Sequence, residues 1–190
     1  PGGPRFAGAA FYPYDNRQDN NSQKAPDAIN IYGRANKVNV GNKVNVFGTN
    51  NKVVHNSIGN SGTNLAINAM GNNIHVQNPR RSSYFGNDIY ANSAHLGIGN
   101  NLTVAAGGQA VGTDINVAGD SMAIGSAITS NSRGSFLVGD TITARNQNQF
   151  IAGKNITSGL LGASLMGRDI TINEGWANNL VAVGNSLTIN

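Results

Sequence analysis

The sequence predicts an all-β protein, a parallel β-solenoid or β-roll of about 12 rungs with a repeat of about 14 residues, and three observations carry that prediction. A segment reading apolar, Gly, two polar residues, apolar, polar, apolar recurs along the chain, as at residues 98–104 (IGNNLTV), 138–144 (VGDTITA) and 183–189 (VGNSLTI). Its glycines are Gly33, Gly48, Gly59, Gly71, Gly86, Gly99, Gly112, Gly125, Gly139, Gly153, Gly167 and Gly184, and each follows the one before at a similar interval. By subtraction, their numbers differ in succession by 15, 11, 12, 15, 13, 13, 13, 14, 14, 14 and 17. The composition agrees, because 31 Asn and 25 Gly among 190 residues suit tight turns and are disfavoured inside helices. There is no Cys, which removes disulfides and thiolate metal sites. No apolar stretch reaches the length of a membrane-spanning helix, about 18 residues, so membrane insertion is not expected.

Aligning the repeats on Gly justifies each part of a rung in order. Position +3 holds Ile74, Ile89, Leu102, Ile115, Ile128, Ile142, Ile156, Ile170 and Leu187, an inward apolar column. Position +4 holds His75, Tyr90, Thr103, Asn116, Thr129, Thr143, Thr157, Thr171 and Thr188, which must face the other way because side chains alternate along a strand. Position −1 is apolar as well (Phe85, Ile98, Val111, Ile124, Val138, Ala152, Met166, Val183) and reads as a second inward column. Gly then stands at the corner between the two apolar runs, where positive φ or close backbone approach is needed, and Gly99, Gly112, Gly125, Gly139, Gly153, Gly167 and Gly184 are its clearest structural instances. No helix-period segment follows any of these glycines, so a nucleotide-binding loop is excluded.

A rung of this length encloses few side chains, so one rod alone is marginally stable and needs partners. Position −2 turns apolar in the C-terminal half (Ala110, Ala123, Leu137, Ile151, Leu165, Ala182) and reads as an outer face for packing against other copies, with a homotrimer expected. The shaft would be about 55 to 60 Å long at a strand spacing of about 4.8 Å.

Residues 121–126 (SMAIGS) and 179–186 (NLVAVGNS) resemble the head repeat of trimeric autotransporter adhesins, a left-handed parallel β-roll also found in phage and viral fibres or spikes. The resemblance covers roughly residues 30–190 and implies a trimeric adhesive architecture with no cofactor. The Asn- and Lys-rich early rungs, as in residues 36–40 (NKVNV) and 42–46 (NKVNV), and the uneven rung lengths depart from the bacterial head and favour a virus or phage fibre.

Two segments divide the chain, an extended anchor and linker at 1–29 and the solenoid shaft at 30–190. The first contains four of the five prolines and the aromatic cluster Phe6, Phe11, Tyr12 and Tyr14, followed by a polar linker. Aromatics of that kind are expected to dock each fibre into other proteins of its particle; a cap folded over the first rung is the alternative.

Catalytic chemistry is not expected. Asp88, Asp114 and Asp169 share position +2, on a turn column and not in a pocket. His55, His75 and His95 fall on different rungs without metal-ligand spacing. The cations scatter apart from Lys37, Lys43 and Lys52, so nucleic-acid binding is not expected despite a pI near 9.6. Attraction to acidic cell-surface polysaccharide stays open. Asn-x-Ser/Thr triplets at residues 20–22, 101–103 and 155–157 match the glycosylation pattern, two of them as part of the repeat. The Thr column raises an ice-binding solenoid as a rival, but such proteins pair their Thr columns, and the residues two places either side of each Thr read here as apolar and inward.

The function expected is therefore a non-enzymatic structural and adhesive fibre or spike of a virion, anchored by its N-terminus and touching a host surface glycan or protein; the alternative location is a bacterial cell surface. Receptor contact is expected at Trp176, in the longest distal departure from the repeat, and at Arg80 and Arg81 in the long rung before Gly86. The strand that stops at Asn190 suggests a further C-terminal domain, such as a chaperone that cleaves itself off after assembly.

Overall fold

The computed structural model describes residues 17–18, 29–39, 44–54, 67–77, 81–93, 95–131, 133–159, 162–172, 181–186 and 188–189. Among them it is an all-β parallel β-solenoid, with strands from Arg17–Gln18 to Thr188–Ile189 in one continuous sheet and every pairing parallel. In the middle of the rod one strand serves each turn, as at Ser82–Asn92, Leu96–Val104, Gln109–Val117 and Met122–Ser130. Further on, each turn splits into two short strands, such as Phe136–Asp140 with Thr143–Ala144.

The register follows the glycines. Gly112 pairs with Gly99 on one side and Gly125 on the other, and Gly125 with Gly139, so that equal repeat positions stand above one another. Why the column admits only Gly is visible at Gly125: its φ is 140°, and a Cβ there would run into the carbonyl oxygen of Gly139 on the next turn. Neighbouring turns stack at the corner through bare backbone. Two places later the chain enters the left-handed region at Asn50, Asn73, Asp88, Asn101, Asp114, Asn155 and Asp169, with φ between 54° and 57° for all but Asn101, at 53°. Asn and Asp are the non-glycine residues that tolerate this region best, which suits them to these seven turns, while Ala35, Ala127, Thr141 and Ser186 adopt it at the same place in others.

One corner of the expected ladder is missing. Gly48 pairs directly with Gly71, so Gly59, between them in sequence, is no corner of the described stack. Residues 55–66, which hold His55, lie outside the described residues. At the other end, Arg17–Gln18 already pairs with Lys37–Val38 at positions +4 and +5 of the stack.

The core corrects the sequence reading at one arm. Position −2 faces inward, with Val46, Ala69, Tyr84, Ala110, Ala123, Leu137, Ile151 and Leu165 fully buried. Position −1, expected inside, faces out: Phe47, Met70, Phe85, Ile98, Met166 and Val183 are exposed. Strict alternation forces a choice, because −2 and −1 cannot share a face. Tyr84 is the large exception in the inner column, and Gly97 lies against its ring on the next turn. Burial, against the lesser effect of its hydrogen bond to Ser82, pushes the Tyr84 phenol up to about 12 and keeps it neutral.

On the other arm, position +3 is inward as expected, with Ile74, Ile89, Leu102, Ile115, Ile128, Ile142, Ile156 and Ile170 buried, and position +5 joins it through Val38, Val53, Val76, Val104 and Val117. In the first two turns position +3 holds Asn36 and Asn51, also fully buried. Their amides continue the ladder. Asn51 Nδ2 donates to the Gly71 carbonyl at 2.9 Å and its Oδ1 accepts from the Ile74 N–H at 2.9 Å, while Asn36 makes the same pair of bonds to Gly48 and Asn51. A third inward column is polar: Ser121 Oγ accepts from the Ser135 N–H at 3.2 Å, Ser135 Oγ from the Gln149 N–H at 3.1 Å, and Gln149 Nε2 donates to Ser158 Oγ at 3.1 Å. The Ser121 and Ser135 hydroxyls each take a backbone N–H in place of a ladder carbonyl where the chain turns the corner.

Candidate functional site

With the inward positions committed to packing, anything the rod binds must meet its outward columns, and three of them differ in chemistry. The first is the arm before Gly. Positions −3 and −1 both face out, and together they carry nearly every large exposed apolar side chain among the described residues: Phe47, Met70, Phe85, Ile98, Phe136, Phe150, Met166, Val181 and Val183. Neighbouring rings stack along it, Tyr32 on Phe47 at 4.8 Å and Phe136 on Phe150 at 5.7 Å. In the first turns position −3 is instead a run of amides, where Asn30 donates to Asn45 at 2.8 Å and Asn45 to Asn68 at 2.9 Å.

The second is the turn edge at +1 and +2, a ladder of side-chain amides. Asn50 donates to Asn73 at 2.8 Å and Asn73 to Asp88 at 2.9 Å; Asn72, Asn87 and Asn100 form a parallel run with 3.0 Å steps. Asp114 and Asp169 accept from Asn101 and Asn155 at 2.6 and 3.1 Å. The position +2 carboxylates thus occupy a turn column as the spacing predicts, each tied to the turn below, and they converge on no pocket. No group of three His, Asp or Glu among the described residues could hold a metal ion.

The third is the arm after Gly. Arg17, Lys37, Lys52, His75 and Tyr90 follow one another in register at position +4, and Thr103, Asn116, Thr129, Thr143, Thr157, Thr171 and Thr188 continue the column. His75 packs edge-on against Tyr90 with ring centroids 5.2 Å apart, and its Nε2 is buried without a hydrogen-bond partner. Burial, and then the ammonium of Lys52 below it, holds the imidazole under its ordinary value of 6.5. The flanks of the Thr column also correct the sequence reading. Ala127, Thr141 and Asn155 on one side and Asn131 and Arg145 on the other are exposed, not inward. They are nevertheless not a second Thr column.

Of the residues singled out for contact, Arg81 is exposed immediately before the strand Ser82–Asn92; His95, on a rung of its own as the spacing predicts, is exposed before Leu96–Val104. Phe6, Phe11, Tyr12, Tyr14, Arg80 and Trp176 lie outside the described residues. The outward apolar arm escapes sequence reasoning because its position −1 reads as core. Size hints at it where Phe47 and Met70 stand beside the smaller Val46 and Ala69, but not at Tyr84 beside Phe85 or Ile151 beside Ala152, where the larger residue is the inward one.

The chain is, by fold, a parallel β-solenoid with a glycine-cornered repeat of about 14 residues. Comparison with protein-family models, with curated proteins and with solved structures returns no match for it.

Proposed function

We propose that the chain is the shaft of a structural and adhesive fibre or spike of a virus or phage, non-enzymatic, assembled as a homotrimer, held in its particle through the N-terminal aromatic segment and touching a host surface. The observation that carries this reading is the outward apolar arm. From Gly33 to Gly184 the described column has eleven corners, so at about 4.8 Å per turn the arm runs about 50 Å, with a width of about 10 Å for three strand residues. A strip of that size covers about 500 Å² in plan, at the upper end of what a soluble monomer leaves open. It contains almost no charge from Leu96 to Val183, so it suits another copy of the same rod better than a polar partner. Identical rods also share their rung spacing, which lets the ridges of one apolar arm mesh with those of the next.

A bacterial trimeric autotransporter head is the second reading, supported by the repeat itself; the uneven steps between corners, short from Gly99 to Gly112 and long from Gly48 to Gly71, favour the fibre. Sedimentation equilibrium and native mass should give three chains, and Phe136→Asp with Phe150→Asp should give folded single chains. A wild-type protein that is monomeric at high concentration overturns the assembly. Antibodies to the shaft viewed by electron microscopy on virions, against bacterial envelopes, separate the two locations.

A further inference from the structure

We propose that the polar run at position −3 of the early turns, Asn30, Asn45 and Asn68 with Ser83, sets the register of the assembly, so that a second copy of the chain docks alongside with equal turns level. This rests on the reading of the outward apolar arm as the contact between copies, and it names what that contact selects.

The arm is uneven along the rod. Position −1 is apolar or aromatic at every described turn from Tyr32 to Val183, whereas position −3 changes character part-way. Asn30, Asn45, Asn68 and Ser83 stand there in register one above another, each half-buried. Beyond them come Leu96, Met122, Phe136, Phe150 and Val181, interrupted by Gln109 and Ser164. The rung therefore accepts large apolar side chains at this position, and the polar run is a feature of the early turns that the fold does not demand. Neither position carries a charged residue at any described turn, so the arm offers a charged partner nothing to pair with.

An apolar strip alone specifies no register, because its ridges recur about every 4.8 Å and two rods can mesh again after sliding by one turn or after one of them is reversed. The amides remove that freedom. Asn45 accepts from Asn30 at 2.8 Å and donates to Asn68 at 2.9 Å, and Asn68 donates to Ser83 Oγ at 3.4 Å. A side-chain amide has two N–H donors and a carbonyl oxygen with two lone pairs. Asn45 thus uses one N–H and one lone pair along its own rod and keeps one of each for a neighbour. Once a second rod covers the arm, those remaining groups must be met, or their lost hydration counts against the contact. An identical amide at the same level meets both, since it offers a donor and an acceptor. A slip of one turn sets Ser83 of one rod against Leu96 of the next, and each further turn strands one more polar group; reversal sets the whole run toward the half that holds Phe136 and Phe150. A single buried Asn fixes the register of a coiled coil by the same logic. Only another copy of this chain presents a matching run at the same rung spacing.

The chain has no Cys, so single cysteines at exposed position −1 sites report which levels meet. Met70→Cys and Phe85→Cys chains, one turn apart and differently tagged, are co-expressed and mildly oxidised. Links between like positions should dominate, with few between unlike ones, and Met70→Cys chains mixed with Met166→Cys chains should give no unlike links. Adding Asn45→Leu with Asn68→Leu to every chain should keep three chains per particle in sedimentation equilibrium and raise the share of Met70–Phe85 links about tenfold, the scale of one buried polar group left unmet. Asn87→Leu with Asn100→Leu, an amide pair on the turn edge away from the arm, should leave the pattern unchanged. If the first pair did not fold, Asn45→Leu alone, with a smaller rise, decides. Three chains with unlike links as frequent as like ones, or a pattern unmoved by the Asn45 and Asn68 changes, overturns the register proposal and leaves the fibre reading standing. A single chain in sedimentation overturns both.

Discussion

The turns at Gly33 and Gly48 and those from Gly86 to Gly125 obey the same register with different chemistry. The early pair places Asn36 and Asn51 inside and Lys37 and Lys52 outside; the later set places Ile89, Leu102, Ile115 and Ile128 inside and neutral residues outside. The solenoid therefore does not require an apolar residue at position +3. It requires one that leaves no ladder group unmet, which a buried Asn achieves by bonding backbone on the next turn and a buried Ile achieves by offering nothing to satisfy. At position +4 the fold asks for nothing inward at all, so that column is free to carry charge. What is invariant between the regions is the corner glycine, and what varies freely is the outside.

The largest expected effect tests the invariant part. Gly125→Ala puts a Cβ into the carbonyl oxygen of Gly139 and onto a backbone at φ 140°. The turns of Gly125 and Gly139 must move apart, and a loss beyond about 4 kcal/mol is expected, read as a rod that no longer folds by circular dichroism. An unchanged melting curve would show that the corner is not closed by backbone contact.

Next comes the inward column. Ile142→Asp buries a charge between stacked turns with no partner in the column above or below, and should cost several kcal/mol in chemical denaturation. The matching change in the early region is Asn51→Ala, which leaves the Gly71 carbonyl and the Ile74 N–H without their bonds, at about 1 to 3 kcal/mol for each group. If Asn51→Ala were neutral, the early turns would not depend on their amide ladder and the contrast between the regions would fail. Thr143→Ser, on the outward arm, should stay within about 0.5 kcal/mol.

These ranks also mark what the sequence could reveal. Glycine spacing, the Ile column and the Thr column were legible because each is a periodic choice of one residue type, and together they define class, register and repeat. The two apolar positions before Gly were not, because alternation identifies a face only when one of two neighbours is polar, and Ala123 with Ile124 or Leu137 with Val138 offers no such contrast. Gly59 misleads for a related reason: residues 58–60 (IGN) repeat the corner motif, but Gly62 stands at +3 where an inward side chain is needed. The polar inner column of Ser121, Ser135 and Gln149 lies at the least regular part of each rung, where length varies and alignment on Gly drifts.

The smallest effect joins the two regions, because His75 stands where the cationic run gives way to the neutral one. Its imidazole titrates below 6.5 in the folded chain, first through burial and second through Lys52, and near 6.5 once unfolded. The unfolded state therefore binds the proton more readily, so the contribution of His75 is complete above about pH 6.5 and is lost as pH falls toward and through the folded value. The loss should be small because the ring is only half-buried. Thermal melts from pH 7.5 down to 5 should show a slight decline that His75→Gln removes. Lys52→Gln should reduce but not abolish it, since burial remains when the ammonium is gone. A decline unaltered in His75→Gln would assign the pH response to the turn carboxylates instead, and a decline fully abolished by Lys52→Gln would make charge, not burial, the leading cause at the junction.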